Sequence, residues 1–355
     1  MTSKPLTRPE PPAAAPDLPP ARDWVRILAR YRDPDNLRSA FELAVSLAPY
    51  LGLWALAWWL LSVSYLLTVL VAVINGFFLV RLFAIQHDCG HRAFFSSRAL
   101  GDWIGRGIGM LTLTPYDVWR QTHAVHHSAH GNLGRRGMGD IHTLTVAEYR
   151  ELSRWGRFSY RVYRHPIVLF GFGPAYLFYL QNRLPVGLMR AGLRYWTSAM
   201  STNLVIAAAL GLIIWFGGLM PVLLIFVPTT LVGASVGLWL FYVQHQFERT
   251  HWQKEQDWQI HDAAFEGSSH YALPQPLQWL TANIGVHHVH HLYSRIPFYR
   301  LTEVLRDHPV LDAAQRLTLR QSLGCVKLQL WDEDSRRLLS QKEARALVRN
   351  AGTTA

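Results

Sequence analysis

The sequence predicts an all-α, multi-pass membrane protein, with four transmembrane helices in two hairpins and a cytosolic helical cap. Two observations carry that expectation. No Asp, Glu, Lys or Arg occurs in the 38 residues between Glu42 and Arg81, nor in the 53 between Arg194 and Glu248. One crossing takes about 20 apolar residues, so each run is long enough for a helical hairpin. The second observation is where the positive charge falls. Turns are expected near 61–64 (LSVS) and 217–221 (GGLMP), and neither contains Lys or Arg. With those turns outside, all 35 basic residues lie on one face of the membrane. The positive-inside rule then puts both termini and every charged segment in the cytoplasm, with the chain in the cell (inner) membrane.

The elements follow in order. Residues 1–22 are rich in Pro and Ala and read as a disordered tail. They carry no apolar core of a signal peptide, and their single Ser does not suit a transit peptide. A helix with one apolar and one charged face is expected over about 23–37, followed by the first hairpin over roughly 40–85. Segments 104–114 and 167–180 are apolar but short and interrupted by Gly and Pro, which suits interfacial or re-entrant placement. Between them, Arg150, Arg154, Arg157, Arg161 and Arg164 alternate with Trp155, Phe158, Tyr160 and Tyr163. That mixture belongs at the headgroup level. The second hairpin is expected over roughly 198–244. The membrane domain with its cap is assigned to 23–325, and 326–355 is expected to be a charged, helical C-terminal tail.

Histidines gather at the ends of these elements. "QHDCGH" places His87 and His91 four apart, at the end of the first hairpin. "QTHAVHH" supplies His123, His126 and His127, and "NIGVHHVHHLYSRIP" repeats that spacing with His287, His290 and His291. On a helix, positions i, i+3 and i+4 share one face, yet i+3 and i+4 diverge by about 100°. Such a box therefore offers ligands to two adjacent metals. His245, in "FYVQHQFE", ends the second hairpin at the depth where His87 ends the first, and is expected to be a ninth ligand. An interfacial histidine bonded to water or a headgroup is the plainer alternative. His288 falls outside the spacing and should point away. His130, His142, His165, His251, His261, His270 and His308 are read as structural.

The donor set narrows the chemistry. Eight or nine imidazoles are too many for one ion, and structural zinc usually closes with four ligands, often cysteines. A zinc protease requires HExxH, but the first box reads His-Asp-Cys-Gly-His. The carboxylate di-iron design requires two ExxH motifs, and the sequence has one, Glu248 to His251. An all-histidine centre of two iron ions (Fe2+/Fe3+) remains, whose use is to activate O2 against an unactivated C–H bond. No catalytic side chain beyond the metal ligands is expected.

These residues resemble the integral-membrane fatty acid desaturases, within the wider group of histidine-box hydroxylases and ketolases. "HDCGH", "HAVHH" and "NIGVHHVHHL" match the family's three boxes in order and placement. "GDIHTLTVAEY", "FGPAYLFYLQNR" and "FYVQHQFE" look like bacterial acyl-lipid desaturases of the omega-6 (delta-12) and delta-5 type. The likeness runs from about Arg26 to Gln321; Arg249 stands where relatives carry an acidic residue. The resemblance implies a four-helix membrane domain with a cytosolic cap, two irons, and removal of two hydrogens from adjacent methylenes of a fatty acyl chain. It also implies a separate electron donor, ferredoxin-like or cytochrome b5-like. A lipid or carotenoid hydroxylase or ketolase is the alternative within the same oxygen chemistry.

Composition removes other classes. The net charge of +11 comes with no nucleic-acid-binding motif, so anionic lipid or an acidic protein is the expected partner. A metal transporter would place ionisable groups near the bilayer midplane, where both runs have none. Cys89 and Cys325 are too few for a disulfide framework.

Overall fold

The structure is a computed structural model and describes residues 19–351. Four helices are long and apolar enough to cross a membrane: α2 (Asn36–Leu60), α3 (Tyr65–Gly90), α7 (Leu193–Gly217) and α8 (Val222–His245). They form the two expected hairpins. Asp35 caps α2 by accepting the Leu37 and Arg38 amides, and Ser64 caps α3 through the Leu67 amide. The second turn passes through Gly218 at φ +70°, a conformation open to glycine.

The central pair is α3 and α8. A Cβ on Gly76 would stand 2.7 Å from the Val232 side chain, and one on Gly233 would stand 3.0 Å from Leu79. Glycine at both places lets the two backbones approach, as small residues do at membrane helix interfaces. This pair carries the site, because His87 lies in the last turn of α3 and His245 is the last residue of α8.

The two residues that bound the first charge-free run find each other. Arg81 pairs with Glu42, and they are 1 % and 2 % exposed respectively. Arg81 also donates to Ser46 Oγ at 3.0 Å and to the Trp279 carbonyl, with its guanidinium 4.1 Å from the Trp279 ring. It thereby ties α2 and α3 to the cap.

In the cap, α1 (Ala21–Leu28) precedes the first hairpin, and α4 (Arg98–Leu111) and α5 (Tyr116–Ala129) follow it. Asp117, in the first turn of α5, bonds Arg106 at 3.1 Å and pairs with Arg194 of α7. Its amide donates to Ser198 Oγ at 3.1 Å. Farther on are α6 (Arg154–Tyr163) and α9 (His287–Leu292). The apolar segment 167–180 is helical with π-turns, and Ile167, Phe172 and Leu180 face outwards. Neither it nor α4 is among the four helices long and apolar enough to cross a membrane.

Three expectations need correction. The helix expected over 23–37 runs from Ala21 and is interrupted beyond Tyr31, because Pro34 has no amide to donate and Asp35 caps the next helix instead. Of residues 1–22, Ala21 and Arg22 therefore belong to α1 and follow Pro19 and Pro20, which lie outside any helix; residues 1–18 lie outside the described residues. The segment 326–355 does not form a helical tail throughout. It opens with a hairpin of β4 (Leu328–Asp332) and β5 (Arg337–Ser340), and only then becomes α10 (Gln341–Ala351). Leu330, Trp331, Leu338 and Leu339 are buried there, a run of apolar pairs that a charged helix would leave in water. Strand β4 also pairs in parallel with β1 (Leu144–Thr145), so a boundary at 325/326 would cut a sheet shared with the cap. The second small sheet joins β2 (His270–Ala272) to β3 (Arg316–Thr318). The protein is thus predominantly helical, with a cap that contains two short sheets.

Candidate metal centre

Nine histidines converge where α3 and α8 meet the cap. His87, His91, His123, His127 and His290 form one cluster, and His126, His245, His287 and His291 a second. Within each, one nitrogen per ring lies within 4.8 Å of all the others. These are the nine residues that spacing and placement singled out.

The division follows helical geometry. In α5, His123 and His127 are four apart, about 40° round the axis, and face the first cluster together; His126, about 100° from His127, faces the second. In α9 the assignment is reversed, with His287 and His291 in the second cluster and His290 in the first. The middle histidine of each box crosses over. The two clusters are thus interlocked, and neither helix serves one cluster alone.

The bend that delivers α9 requires particular residues. Ala282 and Asn283 both have positive φ, and Gly285 lies so close to β2 that a Cβ would meet the Tyr271 carbonyl oxygen at 2.4 Å. The Tyr271 amide donates to the Gly285 carbonyl at 2.7 Å, locking the approach. Glycine is the residue that fits.

Hydrogen bonds behind two of the rings fix where their lone pairs point. His126 donates from Nδ1 to Asp140 Oδ1 at 2.6 Å, and His245 from Nδ1 to the Gly267 carbonyl at 3.3 Å. Their Nε2 atoms are therefore both bare lone pairs, yet they stand 3.2 Å apart. His245 Nε2 to His287 Nε2 is 3.0 Å, and His287 Nε2 to His291 Nε2 is 3.1 Å. In the other cluster, His91 to His123 is 3.0 Å, His123 to His127 is 3.1 Å, and His127 to His290 is 3.2 Å, all between Nε2 atoms. Two imidazole nitrogens bound at right angles to one ion, each about 2.1 Å from it, stand about 3.0 Å apart. The facing lone pairs of His126 and His245 repel at 3.2 Å unless a cation lies between them, and the other Nε2 pairs stand at a similar spacing. The donor set fits a metal ion in each cluster.

Electrostatics agree. Burial holds the imidazoles of His91, His123, His127, His287, His290 and His291 well below the usual histidine range, with neighbouring histidines adding to the effect. Neutral imidazole is the form that binds a metal. His87 Nε2 is buried with no hydrogen-bond partner, and its Nδ1 lies 3.0 Å from Asp88 Oδ1. The other oxygen of Asp88 accepts the Phe298 amide at 2.7 Å.

Residues outside the clusters take other roles. His288 turns away, its Nε2 bonded to the Leu311 carbonyl at 2.9 Å. His251 pairs with Glu266 at 2.7 Å. His130 bonds the Gly267 carbonyl at 2.9 Å through Nε2 and packs its ring 4.2 Å from that of His245, buttressing the second cluster. The supports at Asp88, Asp140 and Gly267 were not identified from sequence. Asp88 lies inside the first box, but no spacing rule links Asp140 or Gly267 to the histidines they hold.

The comparisons with known proteins agree with this chemistry. The sequence model of the fatty acid desaturase family matches residues 64–322. A protein described as a fatty acid desaturase from Bacillus subtilis is 41% identical over 313 residues, covering 88% of each chain. An sn-1 acyl-lipid omega-3 desaturase (ferredoxin) from Synechocystis is 27% identical over 298 residues, 79% of this chain and 77% of the relative. An endoplasmic reticulum omega-3 fatty acid desaturase from Vigna radiata is 29% identical over 246 residues, 64% of this chain and 60% of the relative.

Proposed function

The chain belongs to the fatty acid desaturase family, an oxidoreductase family, and from that premise we propose that it inserts a cis double bond into the acyl chain of a membrane lipid at a two-iron centre, using O2 and two electrons. The observation that carries the reading is the division of nine imidazoles into sets of five and four. His87, His91, His123, His127 and His290 would hold one iron, and His126, His245, His287 and His291 the other. When bound, the pair of irons supplies oxygen activation strong enough to remove hydrogen from a methylene, which side chains cannot do.

The protein's own groups orient and insulate. Asp140 and the Gly267 carbonyl keep the Nδ1 protons of His126 and His245 away from the centre, presenting Nε2 as the donor atom. Asp88 sets His87 against the chain at Phe298. Apolar helices on the membrane side suit an acyl chain. Electrons would come from a separate carrier, ferredoxin-like or cytochrome b5-like, and relatives whose names include "(ferredoxin)" support the former. The concentration of basic residues on one side supports a cytoplasmic centre, with both termini on that side of the cell (inner) membrane.

Fatty acid profiling of an expressing host that lacks its own desaturases tests the reaction. Products two hydrogens lighter, with a located double bond, support it; products heavier by one oxygen would overturn it in favour of hydroxylation.

A further inference from the structure

A cavity of about 420 Å³ opens between the segment Val146–Glu151, helix α6 and helix α10. It is lined by Arg150, Arg154, Arg157, Arg161 and Arg345, together with Tyr149. None of these five arginines forms an ion pair with a carboxylate among the described residues, although Arg157 donates to the Leu152 and Arg150 carbonyls at 2.9 and 3.0 Å, so the positive charge of the cavity is not neutralised by those residues. Nothing in the reaction at the metal centre uses it directly.

Helix α6 presents three faces. Tyr160 and Tyr163 turn inward, whereas Trp155, Phe158 and Val162 are exposed at positions i, i+3 and i+7. Arg154, Arg157 and Arg161 form a parallel stripe about 100° round the axis. The apolar stripe suits contact with lipid. The arginine stripe is left at the aqueous rim, beside the cavity.

A series of rings runs from this cavity through the buried Tyr160 to the exposed His142, on the segment that carries Asp140. Tyr149 lies 5.7 Å from Tyr160, centre to centre, and Tyr160 lies 6.4 Å from Tyr163. His142 lies 6.1 Å from Tyr160 and 6.4 Å from Tyr163, and its amide donates to the Tyr163 hydroxyl at 3.0 Å. Two residues back along the chain is Asp140, bonded to His126 at 2.6 Å. Such a path would serve electron entry, whereas a headgroup site makes no use of it.

We propose that the arginine cavity is the docking site for an acidic one-electron carrier protein, and that the rings of Tyr149, Tyr160, Tyr163 and His142, continued by Asp140, form the route along which electrons reach His126. The proposal rests on the reading that a separate carrier supplies the electrons. Each docking oxidises the carrier's reduced iron–sulfur cluster by one electron and reduces the metal centre by one. Two dockings serve one turnover: the two electrons, two protons from water and the two hydrogen atoms taken from the acyl chain reduce O2 to two waters, leaving one C=C bond.

The test uses the full-length enzyme in phosphatidylcholine nanodiscs and a purified acidic [2Fe–2S] ferredoxin. Oxidised ferredoxin is titrated onto metal-free protein, so that binding is read apart from turnover. The double variant Arg157→Glu/Arg161→Glu is expected to bind at least about tenfold more weakly, and wild-type affinity to fall with added salt. In the iron-loaded enzyme its KM for ferredoxin should rise, while turnover driven by a small neutral reductant stays at the wild-type rate. Tyr160→Leu should keep ferredoxin affinity and slow ferredoxin-driven reduction, with Tyr160→Phe restoring it. Unchanged ferredoxin binding in the double variant would overturn the docking site. So would equal loss with both reductants, or lost binding to phosphatidylglycerol vesicles with an intact ferredoxin KM, which would make the cavity a lipid headgroup site. A wild-type enzyme that runs on the small reductant yet neither binds nor oxidises ferredoxin removes the carrier reading, and the docking site with it.

Discussion

The rings of His127 and His291 stack face to face, 4.1 Å between centres and 15° from parallel, although each belongs to a different cluster. Each is the last histidine of its box, and their contact sets the two clusters side by side. Replacing any one of His87, His91, His123, His126, His127, His287, His290 or His291 by Ala should therefore abolish product and lower iron content. Iron analysis of each purified variant checks this, and two fully active variants would refute the assignment. His288→Ala, which removes a hydrogen bond to the Leu311 carbonyl, should keep its iron and activity while losing thermal stability.

His245 is the one member of the second cluster that no box supplies. His245→Ala should lose activity and part of its iron, since three donors would remain where there were four. His251→Ala should stay active, because that ring is held by Glu266 outside both clusters. Wild-type iron content in His245→Ala would return this residue to an interfacial role.

Asp140 acts through His126. Asp140→Asn keeps the shape but removes the charge that favours the Nδ1 proton, and should weaken metal affinity about 10–100-fold. Chelator competition measures it. The second cluster should lose its ion first, and an unchanged affinity in both would show that the 2.6 Å contact has no bearing on the ligand.

Glu42 and Arg81 make a stability prediction. Glu42→Ala leaves the Arg81 guanidinium buried without its counter-charge and should cost about 3–5 kcal/mol. Thermal unfolding in detergent should show a lower Tm, and the paired change Glu42→Leu with Arg81→Met should recover part of the loss.

Topology is open to direct labelling. Tags at both termini and near Gly134 should be reached from the cytoplasm, and tags near Ser62 or Gly218 only from outside. A terminus found outside would overturn the orientation argued from charge.

The sequence determined what local chemistry can encode. Two charge-free runs gave both hairpins and their turns, since exclusion of charge from a bilayer needs no knowledge of neighbours. The spacing of the boxes marked eight of the clustered histidines, and the position of His245 at a helix end marked the ninth, because helix geometry fixes which side chains share a face. Tertiary structure decided the rest. That His126 and His290 exchange clusters depends on how α5 and α9 face one another, which neither helix specifies alone. Asp140 meets His126, and Gly267 meets His245, only through the folding of loops whose sequences carry no metal-binding pattern. The hairpin of β4 and β5 forms because β1, nearly two hundred residues earlier, offers it an edge. A helical tail was the natural reading of charge and composition, but a strand needs a partner, and partners are set by the fold.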